Sequence, residues 1–226
     1  MSESITDDAC EPMPSAPRNY YAHVRREICD LIPTGLNNLL DVGCGEGATG
    51  AFLRDEGYCK WVCGLEMHPA AAEIARQRLD QLIEGNVDTL NIPFGARSID
   101  IILCLDILEH LPDPWRTLRR VSEFLAPGGV LIASVPNVRN LKVLIPLIFL
   151  GRWEYADEGI LDRTHLRFFT RFSAIGLARS AGLRVRHVKP TFGRYARVLN
   201  AATLGLFQQF LATQYIVSAD WPDTAK

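Results

Sequence analysis

The sequence predicts an α/β protein in which a mostly parallel sheet is covered by helices on both faces. Three observations support this fold class: strand-length and helix-length stretches alternate as far as residue 137, the strand stretches are apolar throughout, and a glycine-rich turn joins the first of them to a helix. Of the 226 residues, 48% are apolar, which is enough for a sizeable core. We therefore expect one domain at 19–226.

Residues 1–18 are expected to form a disordered leader. They lack the basic start and apolar core of a signal peptide, and no apolar run in the chain reaches membrane-spanning length. The expected location of the protein is therefore the cytoplasm.

Each element of the first half follows from a local pattern. The stretch YYAHVRREICDLIP has apolar residues at helical spacing and stops at Pro33, so it predicts an opening helix. A helix from Gly47 to Gly57 ends on glycine, and Pro69 marks the first turn of the helix PAAAEIARQRLDQL. The helix DPWRTLRRVSEFL comes later in the chain. The expected strands are NLLDV, KWVCGLE, IEGNV, SIDIILCLD and VLIASVPN.

The pattern loosens in the second half, where we expect an insertion at 138–169 over one end of the sheet. VRNLKVLIPLIFLGRW predicts a helix broken near Pro146, followed by the polar loop EYADEGILDRTHLRFF. TRFSAIGLARSAG predicts a helix capped by Thr170. The remaining expected elements are the strand LRVRHVKP, the helix RYARVLNAATLGLFQQF and the strand ATQYIVSAD.

Charge is distributed unevenly along the chain. The formal net charge is −2, but residues 139–197 carry 12 Lys and Arg against 4 Asp and Glu. The balanced total argues against a general nucleic-acid binder, whereas the local excess of arginine would attract an anionic substrate or a phosphate-rich surface. Solvated helix faces are the alternative explanation, and the sequence leaves both open.

No metal site is expected. The six cysteines include no CxxC pair, and several lie in expected strands, so reduced thiols are favoured over disulfides. A zinc site from Cys59, Cys63 and His68 is disfavoured because its ligands would point in different directions. No run of acids and histidines suggests a magnesium site.

The stretch NNLLDVGCGEGATGAF contains three glycines within five residues, directly after the first strand. Glycine lets a ligand lie against bare backbone, and the following helix exposes its first N–H groups. Gly43, Gly45 and Ala48 fit the G-x-G-x-x-A pattern of dinucleotide sites, and Glu66 ends the next strand, where ribose hydroxyls would bind. The loop alone does not separate a dinucleotide from other ligands.

Three further features bear on the choice of ligand. Asp41 lies two residues before the first glycine, where a carboxylate suits a cationic ligand and would repel a pyrophosphate. Asp88 is expected at the end of the third strand, where it could accept a hydrogen bond from an adenine amino group. Asp106, Glu109 and His110 come after the fourth strand and are expected at the same rim.

With these motifs the sequence resembles class I S-adenosylmethionine-dependent methyltransferases, in particular the family typified by ubiquinone-biosynthesis and lipopolysaccharide-sugar methyltransferases. The resemblance covers roughly residues 20–190. It rests on the ordered set LLDVGCGEG, GNVDTLNIPF, ILEHLPDPWRTLRRVSEFLAPGGVLIASVPN and LDRTHLRFFT. It implies a Rossmann-like three-layer sandwich with a seven-stranded sheet in the order 3-2-1-4-5-7-6, the last strand antiparallel, and a helical lid insertion.

The resemblance also implies S-adenosyl-L-methionine as cofactor and assigns residues to its methionine end. Gly43 and Gly45 would let this part of the cofactor pass, and Asp41 would lie near its amino group. The backbone at Leu105 would help to bind the same amino group. Ordinary packing is the alternative role for Leu105.

At the adenosine end, the resemblance implies that Glu66 accepts from both ribose hydroxyls and that Met67 packs on the adenine. Asp88 and the backbone of Val87 would hold the adenine edge. The alternatives are ordinary packing for Met67 and solvated strand ends for Glu66 and Asp88.

Methyl transfer to a hydroxyl needs an aligned acceptor and a base for its proton. His165, within DRTHLRF, lies in the insertion expected to cover the methyl group, so we favour it as the general base. His110 is the second candidate, with a structural role as its alternative.

Basic and apolar residues of the insertion bear on the acceptor. Arg163 and Arg167 flank His165 and predict an anionic acceptor, because arginine binds phosphate and carboxylate groups in a forked geometry. Ion pairs with acids of their own loop are the alternative. The apolar stretch LKVLIPLIFLGRW predicts a lid, which we favour over contact with a membrane.

We therefore expect an S-adenosylmethionine-dependent methyltransferase acting on a hydroxyl of a sugar or glycan, whether free, nucleotide-linked or lipid-linked. The acceptor is expected to be a small molecule or glycan, with no nucleic-acid partner. A phenolic, quinone-like or other secondary metabolite is the alternative acceptor, which the apolar lid would suit. A NAD-dependent oxidoreductase is less favoured because no Tyr-x-x-x-Lys constellation is present, and a non-catalytic domain is less favoured because Asp41, Gly43, Gly45, Glu66 and Asp88 are all present.

Overall fold

A computed structural model describes residues 23–222 of the chain. The expected leader at 1–18 and the start of the opening helix lie outside the described residues. The described part of the opening helix is a single 3-10 helix from Arg26 to Leu31, after which the chain enters the first strand.

The described residues form one seven-stranded sheet in the order β3-β2-β1-β4-β5-β7-β6. Strands β1 to β5 are mutually parallel, whereas β7 runs antiparallel to both of its neighbours, β5 and β6. This arrangement confirms the predicted fold class and strand order. The strands are Asn38–Val42 (β1), Trp61–Glu66 (β2), Gln81–Glu84 (β3), Ile99–Leu105 (β4), Leu125–Pro136 (β5), Arg184–Thr191 (β6) and Gln214–Asp220 (β7).

Helices cover both faces of this sheet. They are Ala48–Asp55 (α1), Pro69–Arg78 (α2), Pro114–Ser122 (α3), Leu141–Leu150 (α4), Arg171–Ser180 (α5), Arg194–Ala202 (α6) and Gln208–Leu211 (α7), with a short 3-10 helix at Leu108–His110. One buried cluster joins the sheet to α3 and α5, and a second joins the opposite face to the opening 3-10 helix, α1 and α2. The strands are apolar throughout because both faces are covered.

The third strand differs from the prediction. It comprises Gln81–Glu84 rather than IEGNV, and α2 ends at Arg78, so the predicted helix was too long. Residues Gln81–Glu84 pair in parallel with Cys63–Glu66 of β2. The hydrogen bonds of this pairing outweigh the helical propensity of Gln81–Glu84. Gly85 ends the strand at φ 142°, a conformation that other residues rarely adopt.

Pro146 does not break α4, in contrast to the prediction. The helix continues from Leu141 to Leu150 and ends at Gly151, which adopts the left-handed conformation with φ 63°. Proline removes only one intrahelical N–H donor, and the last turn is closed by bonds from Gly151 to Leu147 and from Arg152 to Pro146.

The other elements of the second half agree with the prediction, with one exception. Thr170 caps α5 by accepting a hydrogen bond from the backbone N–H of Ser173 at 3.3 Å. The long helix predicted at 194–210 is instead two helices, α6 and α7. It is interrupted at Leu204 and Gly205, whose φ angles of 51° and 78° are incompatible with a right-handed helix.

Candidate cofactor and acceptor site

The glycine loop turns sharply between β1 and α1. Gly43, Gly45 and Gly47 all have positive φ angles, of 73°, 55° and 74°. A Cβ atom on Gly43 would lie 2.5 Å from Cδ1 of Ile107, which comes after β4. The loop therefore needs glycine both for its backbone conformation and for its close approach to the end of β4.

Glu66 holds this loop against the end of β2. Its Oε2 atom accepts a hydrogen bond from the N–H of Gly45 at 2.8 Å, and its Oε1 atom accepts from the N–H groups of Met67 and His68 at 2.9 and 2.7 Å. A carboxylate oxygen has two lone-pair directions, so Oε2 retains room for one more donor. Glu66 thus shapes the loop and can still bind a ligand hydroxyl.

Asp41 is buried beside this loop without a hydrogen-bond partner for its carboxylate among the described residues. Burial, and secondarily the nearby Glu66, raise the pKa of the Asp41 carboxyl from its ordinary value of 3.8 to about 7. A buried carboxylate that lacks a partner is stabilised when a cation binds next to it. The Asp41 side chain therefore fits a positively charged ligand group.

The residues predicted at the adenine edge lie around the ends of β2 and β3. The side chain of Met67 is 65% exposed, whereas Val87 is buried. The carboxylate of Asp88 accepts a hydrogen bond from the hydroxyl of Thr117 on α3, and the carbonyl oxygen of Val87 accepts from Arg120 at 2.6 Å. Helix α3 thus orients this edge, and the cofactor roles of these residues stay predictions.

Leu105 ends β4 and is followed by Asp106, whose φ of 54° is unusual for a residue other than glycine. The Asp106 carboxylate accepts hydrogen bonds from Ser134, Gln214 and Arg25. These bonds hold the strained residue in place. The predicted backbone contact from Leu105 to the cofactor stays a prediction.

Arg25 is a residue of this rim that no sequence pattern indicated. Its side chain is buried, and it also donates to Glu27 at 2.6 Å and to Gln214 at 2.7 Å. Its backbone N–H donates to the hydroxyl of Thr49 in α1 at 3.2 Å. The segment before the opening 3-10 helix is therefore fixed across the ends of β4 and β7. No local motif could indicate this, because the partners of Arg25 are far apart in the chain.

His110 and His165 lie side by side at the rim, after the end of β4. Their ring centroids are 4.8 Å apart with an interplanar angle of 71°. Nδ1 of His165 lies 3.0 Å from the carbonyl oxygen of Ile160, and Nδ1 of His110 lies 3.3 Å from that of Thr164. A carbonyl only accepts, so each neutral ring carries its proton on Nδ1 and a free lone pair on Nε2. Burial, followed by the neighbouring His165, lowers the pKa of His110.

Glu109 is fully buried beside this pair of histidines. Its Oε2 atom has no hydrogen-bond partner among the described residues, and burial raises the pKa of its carboxyl to about 8. Its carbonyl oxygen accepts from the N–H groups of Leu166 and Arg167, which ties the insertion to the end of β4. One ligand atom each from Glu109, His110 and His165 lies within 4.8 Å of the others, so the three could hold a metal ion.

The two arginines predicted to bind the acceptor have other partners. Arg163 pairs with Asp157 at 3.0 Å, and both side chains are exposed. Arg167 donates to the carbonyl oxygen of Pro112 and lies 5.9 Å from the ring of Trp115. The ion pair of Arg163 with an acid of its own loop is the alternative that the sequence left open. A role of Arg163 and Arg167 in binding the acceptor stays a prediction.

Helix α4, predicted as part of a lid, buries only Val143 and exposes much of its apolar surface. Ile148, Phe149 and Leu150 are each more than half exposed. Within the described part of the chain, no helix combines the length and apolar character that a membrane span requires.

A family model described as a methyltransferase domain matches residues 20–188, well over half of the chain. The chain belongs to the methyltransferase-domain family. This match confirms the predicted resemblance to methyltransferases. The buried carboxylate of Asp41, which has no hydrogen-bond partner among the described residues, fits the cationic amino group of S-adenosylmethionine.

Relatives and solved structures agree with this membership. The methyltransferase-domain protein is 31% identical over 160 residues to the ubiquinone biosynthesis O-methyltransferase of Coxiella burnetii, a match covering 66% of this chain and 64% of that relative. It is 35% identical over 159 residues to the ubiquinone biosynthesis O-methyltransferase of Pseudomonas fluorescens, covering 66% of each chain. These matches span slightly less than two thirds of the relatives' length.

The fold is also that of a solved SAM-dependent methyltransferase from Archaeoglobus fulgidus. The TM-score is 0.65 at 16% identity, and the match covers 86% of this methyltransferase-domain chain and 90% of the other.

Proposed function

We propose that this protein transfers a methyl group from S-adenosylmethionine to a phenolic or quinone-like hydroxyl. The observation that carries the proposal is the pair of histidines at the rim, whose Nδ1 atoms each lie within hydrogen-bonding distance of a carbonyl oxygen, an arrangement that leaves Nε2 to accept a proton. The names of the relatives support a phenolic acceptor over the sugar or glycan hydroxyl expected from the sequence. We further propose that the acceptor is a small molecule and that the reaction takes place in the cytoplasm.

The acidity of the acceptor gives an independent reason to favour a phenol. A phenolic hydroxyl has a pKa of about 10, and an imidazole base has a pKa of about 6.5. The transfer of the proton to the imidazole is therefore uphill by roughly 3 to 4 pKa units. An alkanol resembles water, whose pKa of about 15.7 lies roughly 9 units above that of imidazole. A histidine base without further help therefore suits a phenol better than a sugar hydroxyl.

The residues of the chain would divide the work between cofactor binding and proton transfer. Bound S-adenosylmethionine supplies a methyl group attached to a positively charged sulfur. The glycine loop and Glu66 hold the cofactor, and Asp41 balances the charge of its amino group. Nε2 of His165 accepts the acceptor proton while the oxygen attacks in line, and His110 is the second candidate for this role.

Metal-assisted deprotonation is a second candidate mechanism. The position of Glu109 favours it. The buried Oε2 atom of this residue has no hydrogen-bond partner among the described residues, and its carboxylate lies close to a ring nitrogen of His110 and of His165. A cation held there would lower the pKa of a coordinated hydroxyl and would remove the need for a free imidazole base.

Turnover of a catechol-type acceptor tests the proposal. We expect His165→Gln to lower kcat by about 10²- to 10⁴-fold while leaving cofactor binding intact. His187→Gln, an exposed histidine on β6, serves as the matched control and should behave as the parent. Unchanged turnover in His165→Gln would remove this residue from the mechanism.

Chelation separates the two mechanisms. Activity that persists after treatment with EDTA supports the metal-free base. Activity that is lost with EDTA and restored by Mg²⁺ or Zn²⁺, but not in Glu109→Gln, supports the metal-assisted mechanism.

A further inference from the structure

A pocket of about 280 Å³ lies at the ends of β5 and β7, on the face of the sheet covered by α5. It is bounded by Asn137 after β5, by Arg171 at the start of α5 and by Tyr215 on β7. None of these residues belongs to the candidate cofactor site. The pocket is therefore distinct from the candidate cofactor site.

The hydroxyl of Tyr215 indicates that this pocket takes a polar ligand. The residue is 1% exposed, and its hydroxyl oxygen is buried without a hydrogen-bond partner among the described residues. Buried hydroxyls in folded proteins are nearly always hydrogen-bonded, so one that lines a pocket and is unpaired among the described residues indicates a polar partner beyond them.

The charge of the pocket indicates the sign of that ligand. Arg139 and Arg171 line it, and no carboxylate of the described residues does. Arg139 donates to Oε1 of Gln209 at 2.8 Å and lies over the ring of Phe210, so it is held in position without a counter-ion. The side chain of Arg171 forms no hydrogen bond or ion pair with the described residues. Burial raises the pKa of the Tyr215 hydroxyl. The charges of Arg171 and Arg139 oppose part of this rise, which is consistent with their closeness to the hydroxyl.

Two exposed apolar side chains lie at or next to the charged pocket. Phe172 lines it and is 84% exposed. A second, adjoining pocket of about 230 Å³ shares Arg171 with the first and is bounded by Leu206, which is 75% exposed. A ligand bound between the two arginines would therefore lay its remaining atoms on exposed apolar surface, which favours a ligand with an apolar portion.

We propose that this pocket binds the oxyanion of an amphiphilic molecule, a carboxylate or a phosphate, between Arg139, Arg171 and the hydroxyl of Tyr215. Arginine forks bind both groups in a bidentate manner, and the tyrosine hydroxyl adds a third donor. The ligand is either a soluble amphiphile or an anionic lipid of a membrane surface. Binding here does not require methyl transfer, so its failure and that of the proposed reaction are distinguishable.

Calorimetric titration with octyl phosphate and with octanol tests the charge requirement. We expect octyl phosphate to bind at least tenfold more tightly than octanol. Arg171→Gln should weaken octyl phosphate binding about tenfold or more, and Tyr215→Phe, which removes only the oxygen atom, should weaken it several-fold. Arg179→Gln, an exposed arginine of the same helix, is the control and should bind as the parent does.

Co-sedimentation with vesicles identifies the source of the oxyanion. Binding to phosphatidylglycerol vesicles but not to phosphatidylcholine vesicles, lost in Arg171→Gln, would assign the pocket to a lipid headgroup. Octyl phosphate binding without vesicle binding would assign it to a soluble ligand. Equal affinity for octanol and octyl phosphate, equal loss in Arg171→Gln and Arg179→Gln, or no binding to either probe would overturn the proposal. Far-UV circular dichroism of each variant checks its folding.

Discussion

Arg25 donates a hydrogen bond to the carboxylate of Asp106, 81 residues away in the chain. Asp106 adopts a left-handed backbone conformation at the end of β4, directly after a residue predicted to contact the cofactor. Because Arg25 also donates to Gln214, the two residues join the N-terminal segment, β4 and β7. This contact therefore lies at the rim of the candidate cofactor site.

Replacing Arg25 by glutamine should lower the free energy of unfolding by about 1–3 kcal/mol, because the partners of a largely buried cation lose a donor. Solvent screens this ion pair and limits the loss, because the Asp106 side chain is 39% exposed. Urea unfolding measures the change, with Arg194→Gln on the exposed surface of α6 as control. Identical midpoints for both variants would contradict a stabilising role of the contact.

Gly43→Ala should abolish cofactor binding, whereas Gly35→Ala should not. Both glycines have positive φ angles, 73° and 85°, so both substitutions carry a backbone cost of about 1–2 kcal/mol. Only Gly43 would place its Cβ against Ile107, because nothing lies within 4 Å of a Cβ on Gly35. Calorimetric titration with S-adenosylhomocysteine measures the difference. Similar affinities in the two variants would show that the close approach to Ile107 is unimportant.

The stability of the ligand-free protein should fall between about pH 4 and pH 7 through Asp41. The pKa of this carboxyl is about 7 in the folded protein against an ordinary 3.8, so the folded state binds the additional proton in this window. A state that binds more protons loses stability as the pH rises, here by a total on the order of 4 kcal/mol. Asp41→Asn removes the titrating group and should flatten this part of the curve obtained from urea unfolding at several pH values. If the free energy of unfolding changes between pH 4 and pH 7 in the same way in the parent and in Asp41→Asn, Asp41 makes no such contribution.

Cofactor binding should also release a proton from Asp41. The amino group of the cofactor is cationic and favours the charged carboxylate, so binding lowers the pKa of Asp41. Calorimetry of S-adenosylhomocysteine at pH 6.5 in buffers of different ionisation enthalpy measures this release. We expect part of a proton per ligand in the parent and markedly less in Asp41→Asn. The same release in both proteins would place the titrating group elsewhere.

The sequence was a good guide where local pattern determines structure. The strands of the central sheet, the Thr170 cap and the glycine loop all follow from residues close together in the chain. Gln81–Glu84 was misassigned because its conformation is decided by pairing with β2, which local helical propensity does not reflect.

The site shows the same division between local and long-range determinants. Gly43 and Glu66 lie at strand ends, which a motif can indicate. The pairing of His110 with His165 and the role of Arg25 depend on contacts between segments tens of residues apart, which a single sequence does not reveal. The pocket around Tyr215 was missed for the same reason, because its residues come from the segment after β5, from α5, from α7 and from β7.

The most direct test of the proposed reaction is a competition experiment with S-adenosylmethionine carrying a ¹³C-labelled methyl group. The purified protein would be incubated with an equimolar mixture of a catechol-type phenol and hexose acceptors, and the products would be analysed by mass spectrometry. We predict label on the phenolic oxygen and none on the sugars, with the signal lost in His165→Gln. Label on a sugar hydroxyl, or no transfer to the phenol although S-adenosylhomocysteine binds, would contradict the proposed function.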